Sequence, residues 1–228
     1  MSILKSSLYI VATPIGNLSD ITYRALEILK QADIIACEDT RVTKKLLNHY
    51  DIKKSLVSFH HHSPEKRFAE ILKLLKDGKI VALVSDAGTP GISDPGGRLV
   101  EYAVKELSDQ AFIIPIPGPA AFVSALSVSG FPTDEFLFLG FPPHKKGRQT
   151  FFKRVAETEP TVVFYESKHR IIKTLNELIV NIGDRPIIVC RELTKQFETI
   201  YRGTAKICLE KLQADKILGE FAIVVRAK

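Results

Sequence analysis

The chain has 228 residues, 45% of them hydrophobic and 25% charged, a balance that excludes a disordered or fibrous protein and suffices for one large domain or two small ones. Its 32 basic against 26 acidic residues leave a formal charge of +6, an excess that favours an anionic partner without requiring one. No apolar span of membrane length, lipidation motif or signal-like N-terminus occurs, and Cys37, Cys190 and Cys208 form no CxxC pair, so the expectation is a cytoplasmic protein with reduced cysteines.

The apolar runs alternate with helical periodicity from the start. Leu8 to Ala12 reads as a strand, Thr22 to Gln31 as a helix, Asp33 to Cys37 as a strand, Arg41 to His49 as a helix and Ser55 to Phe59 as a strand. A helix over Pro64 to Lys76 is entered through Ser63-Pro64, left through Asp77-Gly78 and striped by Phe68, Ile71, Leu72 and Leu75. The strand 79–84, a Gly-rich loop, a helix and the strand Phe112 to Ile116 complete a run of βαβ units, which implies a mainly parallel sheet covered on both faces. Gly130-Phe-Pro-Thr-Asp134 interrupts this pattern and sets the expected boundary between a domain over 1–130 and one over 131–228.

The second half restarts with Phe136 to Phe141, a helix near Gln149 to Glu157, the strand Thr161 to Tyr165 and a helix over Lys168 to Ile182. Pro186 to Cys190, Phe197 to Arg202, a helix over Thr204 to Leu212 and Glu220 to Arg226 follow. Several of these strands suit antiparallel pairing, so a mixed second sheet is expected. His144-Lys-Lys-Gly-Arg148, beside Phe141-Pro-Pro143, reads either as a solvated loop or as a basic connection with reach for phosphates.

The densest signal is Ser85 to Gly97, SDAGTPGISDPGG, which follows a buried strand and holds Gly88, Gly91, Gly96 and Gly97. Ligands of α/β proteins sit at the carboxyl ends of such strands, where glycine lets the main chain approach a small molecule. Neither G-x-x-x-x-G-K-[ST] nor a G-x-G-x-x-G after a strand occurs, which disfavours nucleoside triphosphates and dinucleotides. Asp94-Pro95 fits N-cap then N1 of the following helix, leaving Asp86 as the better candidate for a ligand contact.

The other loops after strands emerge on the same side of a parallel sheet. Thr13-Pro-Ile-Gly-Asn17 is either a ligand loop or a turn into a helix capped at Ser19 or Asp20, with Gly16 supplying a positive φ. Glu38, Asp39 and Arg41 are either an acidic helix start with local pairing or a polar cluster at a cleft. His60-His-His62 lacks a carboxylate or cysteine at ligand spacing, so no metal is expected. Pro117-Gly118-Pro119 is a rigid turn able to present backbone groups to a ligand.

Taken in order, LYIVATPIGNLSDIT, ACEDTR, VSDAGTPGISDPG, IPGPAA, FYESKHR, CRELTK and GEFAIVV closely resemble a bacterial family of small-subunit ribosomal RNA methyltransferases, which modify a cytidine ribose at its 2′-oxygen. That family is a branch of the tetrapyrrole methylase superfamily, and the resemblance covers nearly the whole chain. It implies two α/β domains with S-adenosylmethionine held in a cleft between them, a homodimer, and small-subunit ribosomal RNA as partner, in the assembled or nearly assembled subunit. The implied donor contacts, made largely by backbone, are Pro14, Gly16, Asp86, Ala87, Gly88, Thr89, Ala120, Ala121, Phe164, Tyr165 and the region near Glu220. Where many tetrapyrrole methylases have Gly-Asp-Pro, this chain has Ser85-Asp86-Ala87.

A ribose hydroxyl is a weak acid, so a base or an oxyanion stabiliser should assist methyl transfer. Asp39 and His60 are the base candidates, with Arg41 and Lys168 as phosphate or oxyanion partners. The alternative activity is C-methylation of a tetrapyrrole on the same fold.

Overall fold

The computed structural model describes residues 6–60, 63–94, 96–107 and 111–228. The chain divides into two compact units, Met1–Ala120 and Ala121–Lys228.

The first unit runs β1 (Ser7–Val11), a 3-10 turn (Leu18–Asp20), α1 (Tyr23–Gln31), β2 (Ile34–Cys37), α2 (Thr40–His49), β3 (Ser55–Ser58), α3 (Glu65–Lys76), β4 (Ile80–Val84), α4 (Gly97–Leu107) and β5 (Phe112–Ile116). Its five strands lie in the order β3-β2-β4-β1-β5, and every neighbouring pair is parallel. Alternate strand residues feed opposite cores. Tyr9, Val11, Ile35, Ala82 and Val84 pack with Ala25, Leu29 and Leu47 of α1 and α2, whereas Leu8, Ala36, Val81 and Leu83 pack with Phe68, Ile71, Leu99 and Leu107 of α3 and α4. Both faces are therefore buried, as a parallel sheet requires.

In the first unit two expected helix caps differ from the sequence expectation. Asn17 caps the 3-10 turn and Thr22 caps α1, each accepting a backbone N–H, so neither Ser19 nor Asp20 is the cap. α4 begins at Gly97, with the Val100 N–H donating to the Gly96 carbonyl at 3.0 Å, so Asp94 stands too early to be its N-cap. Pro95, like His61 and His62, lies outside the described residues.

The second unit runs α5 (Ala121–Ser127), β6 (Phe136–Phe138), α6 (Arg148–Glu157), β7 (Thr161–Ser167), α7 (Ile171–Ile182), β8 (Ile187–Arg191), β9 (Thr199–Gly203), α8 (Ala205–Gln213) and β10 (Glu220–Val225). Its sheet has the order β6-β7-β10-β8-β9, with β6 and β7 parallel and the other neighbours antiparallel. Helices α6, α7 and α8 cover one face through Phe152, Leu175 and Cys208, and α5 covers the other.

That last contact moves the boundary from the expected 130/131 to 120/121. Ala125 and Leu126 of α5 bury themselves against Val163, Ile188, Ala222 and Val224, so the helix belongs with the second sheet. The break at Gly130 is a turn inside the second unit, with φ of +70°. α7 starts at Ile171 rather than Lys168, because Lys168 to Arg170 form a turn closed by the Arg170 N–H on the Ser167 carbonyl. Cys37, Cys190 and Cys208 are free and buried. Burial pushes the Cys190 thiol up to about 12 and that of Cys208 to about 11.

Candidate active site

In the first unit the loops after β1, β4 and β5 are tied together at the carboxyl edge of the sheet. Thr13 and Gly88 exchange two backbone hydrogen bonds, at 2.9 and 3.0 Å, forming an isolated antiparallel bridge. The buried Thr13 hydroxyl donates to the Ser85 carbonyl at 3.1 Å, and the Thr89 hydroxyl donates to the Pro119 carbonyl at 3.2 Å. Gly88 has φ of +84°, whereas Gly16 is not among the positive-φ glycines, so the left-handed turn falls in the β4 loop. Gly118 meets a different constraint. A Cβ built there would lie 2.9 Å from the Ala12 Cβ at the end of β1.

The loop after β2 adds charge to this edge. Asp39 caps α2, its carboxylate accepting the Arg41 N–H at 2.8 Å. The same carboxylate takes the Arg41 guanidinium in a fork, Nε to Oδ1 at 3.0 Å and Nη2 to Oδ2 at 2.6 Å. The Asp39 N–H in turn donates to Asp86 Oδ1 at 3.0 Å. Three of the residues singled out from sequence, Asp39, Arg41 and Asp86, are thus one connected group.

Their environments separate the two carboxyls. Hydrogen bonds from the Arg41 side chain and backbone hold Asp39 down at about 2. Asp86 is pushed up, first by partial withdrawal from water and then by the Asp39 charge, against the Asp39 N–H that favours its ionised form. A carboxylate with a pKa near 2 is a poor proton acceptor at neutral pH, which argues against the expected role of Asp39 as base. Arg41 is pushed up by the same pairing.

The other sequence candidates fall into distinct settings. Pro14 is buried and Gly16 exposed in the β1 loop, Asp86 and Ala87 are exposed beside the buried Gly88, and Thr89 and Ala120 are half-buried. His60 follows β3, its N–H donating to the Ser63 hydroxyl at 2.9 Å. It lines a pocket of about 230 Å3 with Phe59, Phe68, Asp94, Gly97 and Arg98. Among the described residues no cluster of three or more His, Cys, Asp or Glu is placed to hold a metal ion.

Ala121, Phe164, Tyr165, Lys168 and Glu220 belong to the second unit. Phe164 is fully buried in that unit's core, which leaves only its main chain for the backbone contact that the resemblance implies. The Tyr165 hydroxyl accepts the Phe122 N–H of α5 at 3.0 Å. Lys168 is exposed in the turn after β7. Glu220 is exposed and paired with Lys195 at 3.0 Å, Lys195 being shared with Glu192 at 2.8 Å.

The basic segment 144–148 also divides. His144, Lys145 and Lys146 are exposed, but the Arg148 side chain is only 4% exposed. Its Nε donates to Glu177 at 2.8 Å and its Nη2 to Thr174 Oγ1 at 2.7 Å, with Nη1 at 3.6 Å from the fully buried Glu166. Glu166 also takes Arg170 at 2.8 Å and the Thr174 hydroxyl at 2.6 Å. Arg148 is therefore an internal tie and not a phosphate contact. The sequence signal for this network was a glutamate at the end of the apolar run Thr161-Val-Val-Phe-Tyr165, still within the strand β7.

A parallel α/β sheet with a charged, glycine-turned loop cluster at its carboxyl edge, followed by a mixed-sheet unit, has a known counterpart. The chain belongs to the tetrapyrrole (corrin/porphyrin) methylase family, whose model matches residues 7–208. Methyltransferases of this family use S-adenosylmethionine. The ribosomal RNA small subunit methyltransferase I of Halalkalibacterium halodurans is 49% identical over 97% of this chain and 76% of the relative. That of Thermotoga maritima is 46% identical over 97% of this chain and 98% of the relative. Among solved structures, a cobalt precorrin-4 methyltransferase aligns with a TM-score of 0.72 at 21% identity, over 97% of this chain and 95% of the other. A uroporphyrin-III C-methyltransferase from Thermus thermophilus, solved with S-adenosyl homocysteine, aligns at 0.64 and 16% identity, over 96% and 97%. At those identities the likeness is one of fold.

Proposed function

We propose that the chain is an S-adenosylmethionine-dependent methyltransferase that methylates the 2′-oxygen of a cytidine ribose in small-subunit ribosomal RNA. The observation that carries this reading is the 49% identity, spread over 97% of the chain, to a small-subunit ribosomal RNA methyltransferase. Tetrapyrrole C-methylation has only the fold in its favour, since the corrin methylase is 21% identical.

The residues at the carboxyl edge suit the donor chemically. A sulfonium and an ammonium group call for carboxylates, and a carboxylate calls for a guanidinium, which Asp39, Asp86 and Arg41 supply in one connected group. Asp86 and the backbone of Pro14, Gly16 and Ala87 to Thr89 are the proposed donor contacts in this unit, with Ala120 and Ala121 beside the Pro117-Gly-Pro119 turn. Tyr165 and Glu220 are the proposed contacts from the second unit. When bound, the donor supplies a methyl group on a positively charged leaving sulfur. Asp39 then acts as a positioning residue. Its carboxylate fixes Arg41 and its N–H fixes Asp86. His60 is the base candidate, with Arg41 and Lys168 the proposed partners of phosphate or oxyanion.

Lys145 and Lys146 are the proposed RNA contacts of the basic segment, exposed side chains that complement the formal charge of +6. We further propose a cytoplasmic homodimer acting on the assembled or nearly assembled subunit. Among the described residues no helix is long and apolar enough to cross a membrane. The test is incubation with methyl-labelled S-adenosylmethionine and small subunits lacking the modification, followed by alkaline hydrolysis. Label in an alkali-resistant dinucleotide is expected, because a blocked 2′-oxygen cannot attack its neighbouring phosphate. Tight donor binding with no label in RNA would redirect the assignment to another acceptor.

A further inference from the structure

The second unit contains a buried carboxylate that the proposed chemistry does not use. We propose that Glu166 is a positioning residue, which holds two cationic loops in register so that together they bind phosphates of the substrate RNA. This rests on the ribosomal RNA reading above.

The two loops leave the same edge of the sheet. β6 and β7 are parallel neighbours, so the segment 139–147 after β6 and the turn 168–170 after β7 emerge together at their carboxyl ends. Each carries exposed lysine, Lys145 and Lys146 on the first and Lys168 on the second. The Tyr165 N–H donates to the Gly140 carbonyl at 2.8 Å. Past that bond, Pro142 and Pro143 have no N–H with which to extend the ladder.

Glu166 supplies the missing connection. Its side chain is fully buried, and it takes the Arg148 guanidinium at 3.6 Å and that of Arg170 at 2.8 Å. Each arginine reaches on to the first loop. Arg170 Nη1 donates to the Pro142 carbonyl at 2.8 Å, and Arg148 Nη1 to the Pro143 carbonyl at 3.3 Å. The second loop closes on the same carboxylate, because the Ser167 N–H donates to Glu166 Oε1 at 2.8 Å and the Arg170 N–H to the Ser167 carbonyl at 3.0 Å. One carboxylate thereby fixes both main chains from which the lysines project. Stability alone does not call for this arrangement, since replacing buried ion pairs by packed apolar groups is often neutral or stabilising. Phosphates recur along an RNA strand, and cations already held side by side lose less freedom on meeting them.

The sign of one substitution separates positioning from bulk charge. Glu166→Gln removes a negative charge, so the field alone would tighten binding to RNA, whereas loss of register would weaken it. The readouts are binding of small subunits lacking the modification across a potassium chloride series, methyl transfer to them, donor affinity by calorimetry and urea unfolding. Glu166→Gln should weaken subunit binding by about fivefold or more and flatten its salt dependence, as for loss of a phosphate contact. It should raise KM for subunits more than it lowers kcat, with donor affinity unchanged. Arg170→Lys keeps the charge but not the fork to Glu166 and Pro142, so it should act in the same direction, and it carries the test if Glu166→Gln fails to fold. Lys168→Met should cost less binding in the Glu166→Gln background than in the parent, because that contact is already loosened.

In a parent that methylates subunits, unchanged binding and salt dependence in folded Glu166→Gln or Arg170→Lys would overturn the positioning role alone. Fully additive losses from Glu166→Gln and Lys168→Met, or loss of donor affinity in place of subunit binding, would do the same. A parent that binds subunits in a Glu166-dependent way but transfers no methyl group to RNA would leave the positioning role standing and remove the methylation reading. An absence of both binding and transfer in the parent would overturn both.

Discussion

Replacing Arg148 by methionine is the sharpest test of how the second unit is built. The substitution keeps much of the stem that packs near Phe152, over whose ring the guanidinium sits at 5.1 Å. It removes the cation that joins Glu166, Glu177 and Thr174. Breaking a buried pair costs about 3–5 kcal/mol, chiefly because the remaining charge is stranded. Two features place this case near the lower end. Glu166 keeps Arg170 at 2.8 Å, and Glu177 is a quarter exposed and can turn to water. The expected loss is therefore about 3 kcal/mol.

The assay is urea unfolding by far-ultraviolet circular dichroism, with hydrogen exchange along β7 and α7 reporting the second unit directly. Lys146→Met, at an exposed neighbour, should stay within about 0.5 kcal/mol of the parent. Adding Glu166→Gln to Arg148→Met should cost less than Glu166→Gln costs in the parent, since the stranded charge is then gone. A loss below about 1 kcal/mol for Arg148→Met, accompanied by weakened RNA binding, would refute the internal tie and restore Arg148 as a phosphate contact.

Other outcomes follow from the same geometry. Asp39→Asn should retain substantial turnover while weakening donor binding, through looser Arg41 and Asp86. Loss of turnover with donor affinity intact would return Asp39 to the role of base. By NMR titration the Asp39 carboxyl should show its midpoint near pH 2 and Asp86 a raised one. The lowered Asp39 value means that its stabilisation is present above the unfolded pKa of about 3.9 and disappears as pH falls towards 2, and Arg41→Ala should reduce that dependence to the part the backbone N–H groups supply. Asp86 has the opposite sign, since its raised pKa makes the folded state favour the protonated form and lose stability as pH rises from the unfolded value through the raised one. Gly118→Ala should cost about 1–3 kcal/mol, measured by thermal unfolding, because its Cβ would stand 2.9 Å from that of Ala12. Reversing Lys145 and Lys146 to glutamate should weaken RNA binding and flatten its dependence on salt; an unchanged slope would remove the segment from the interface.

Period and punctuation made most elements legible in the sequence. The strand over Phe112–Ile116 matches residue for residue, and the parallel first sheet follows from alternating strand and helix patterns. The domain boundary was displaced because Gly130 punctuates the chain locally, whereas α5 is assigned by which sheet buries Ala125 and Leu126. At the site, Asp86 stood out from its place after a buried strand, and Asp39 and Arg41 from an acidic helix start. Their mutual bonding was not legible, since it depends on β2 and β4 being neighbours. Arg148 shows the limit most plainly. A run of basic residues looks uniform along the chain, but Gly147, with φ of +84°, turns the backbone and sends the last of them inward.

The bridge between Thr13 and Gly88 is made of main chain on both sides. Evolutionary drift can therefore change side chains there without moving the loops, provided residue 88 keeps an N–H and tolerates a left-handed turn.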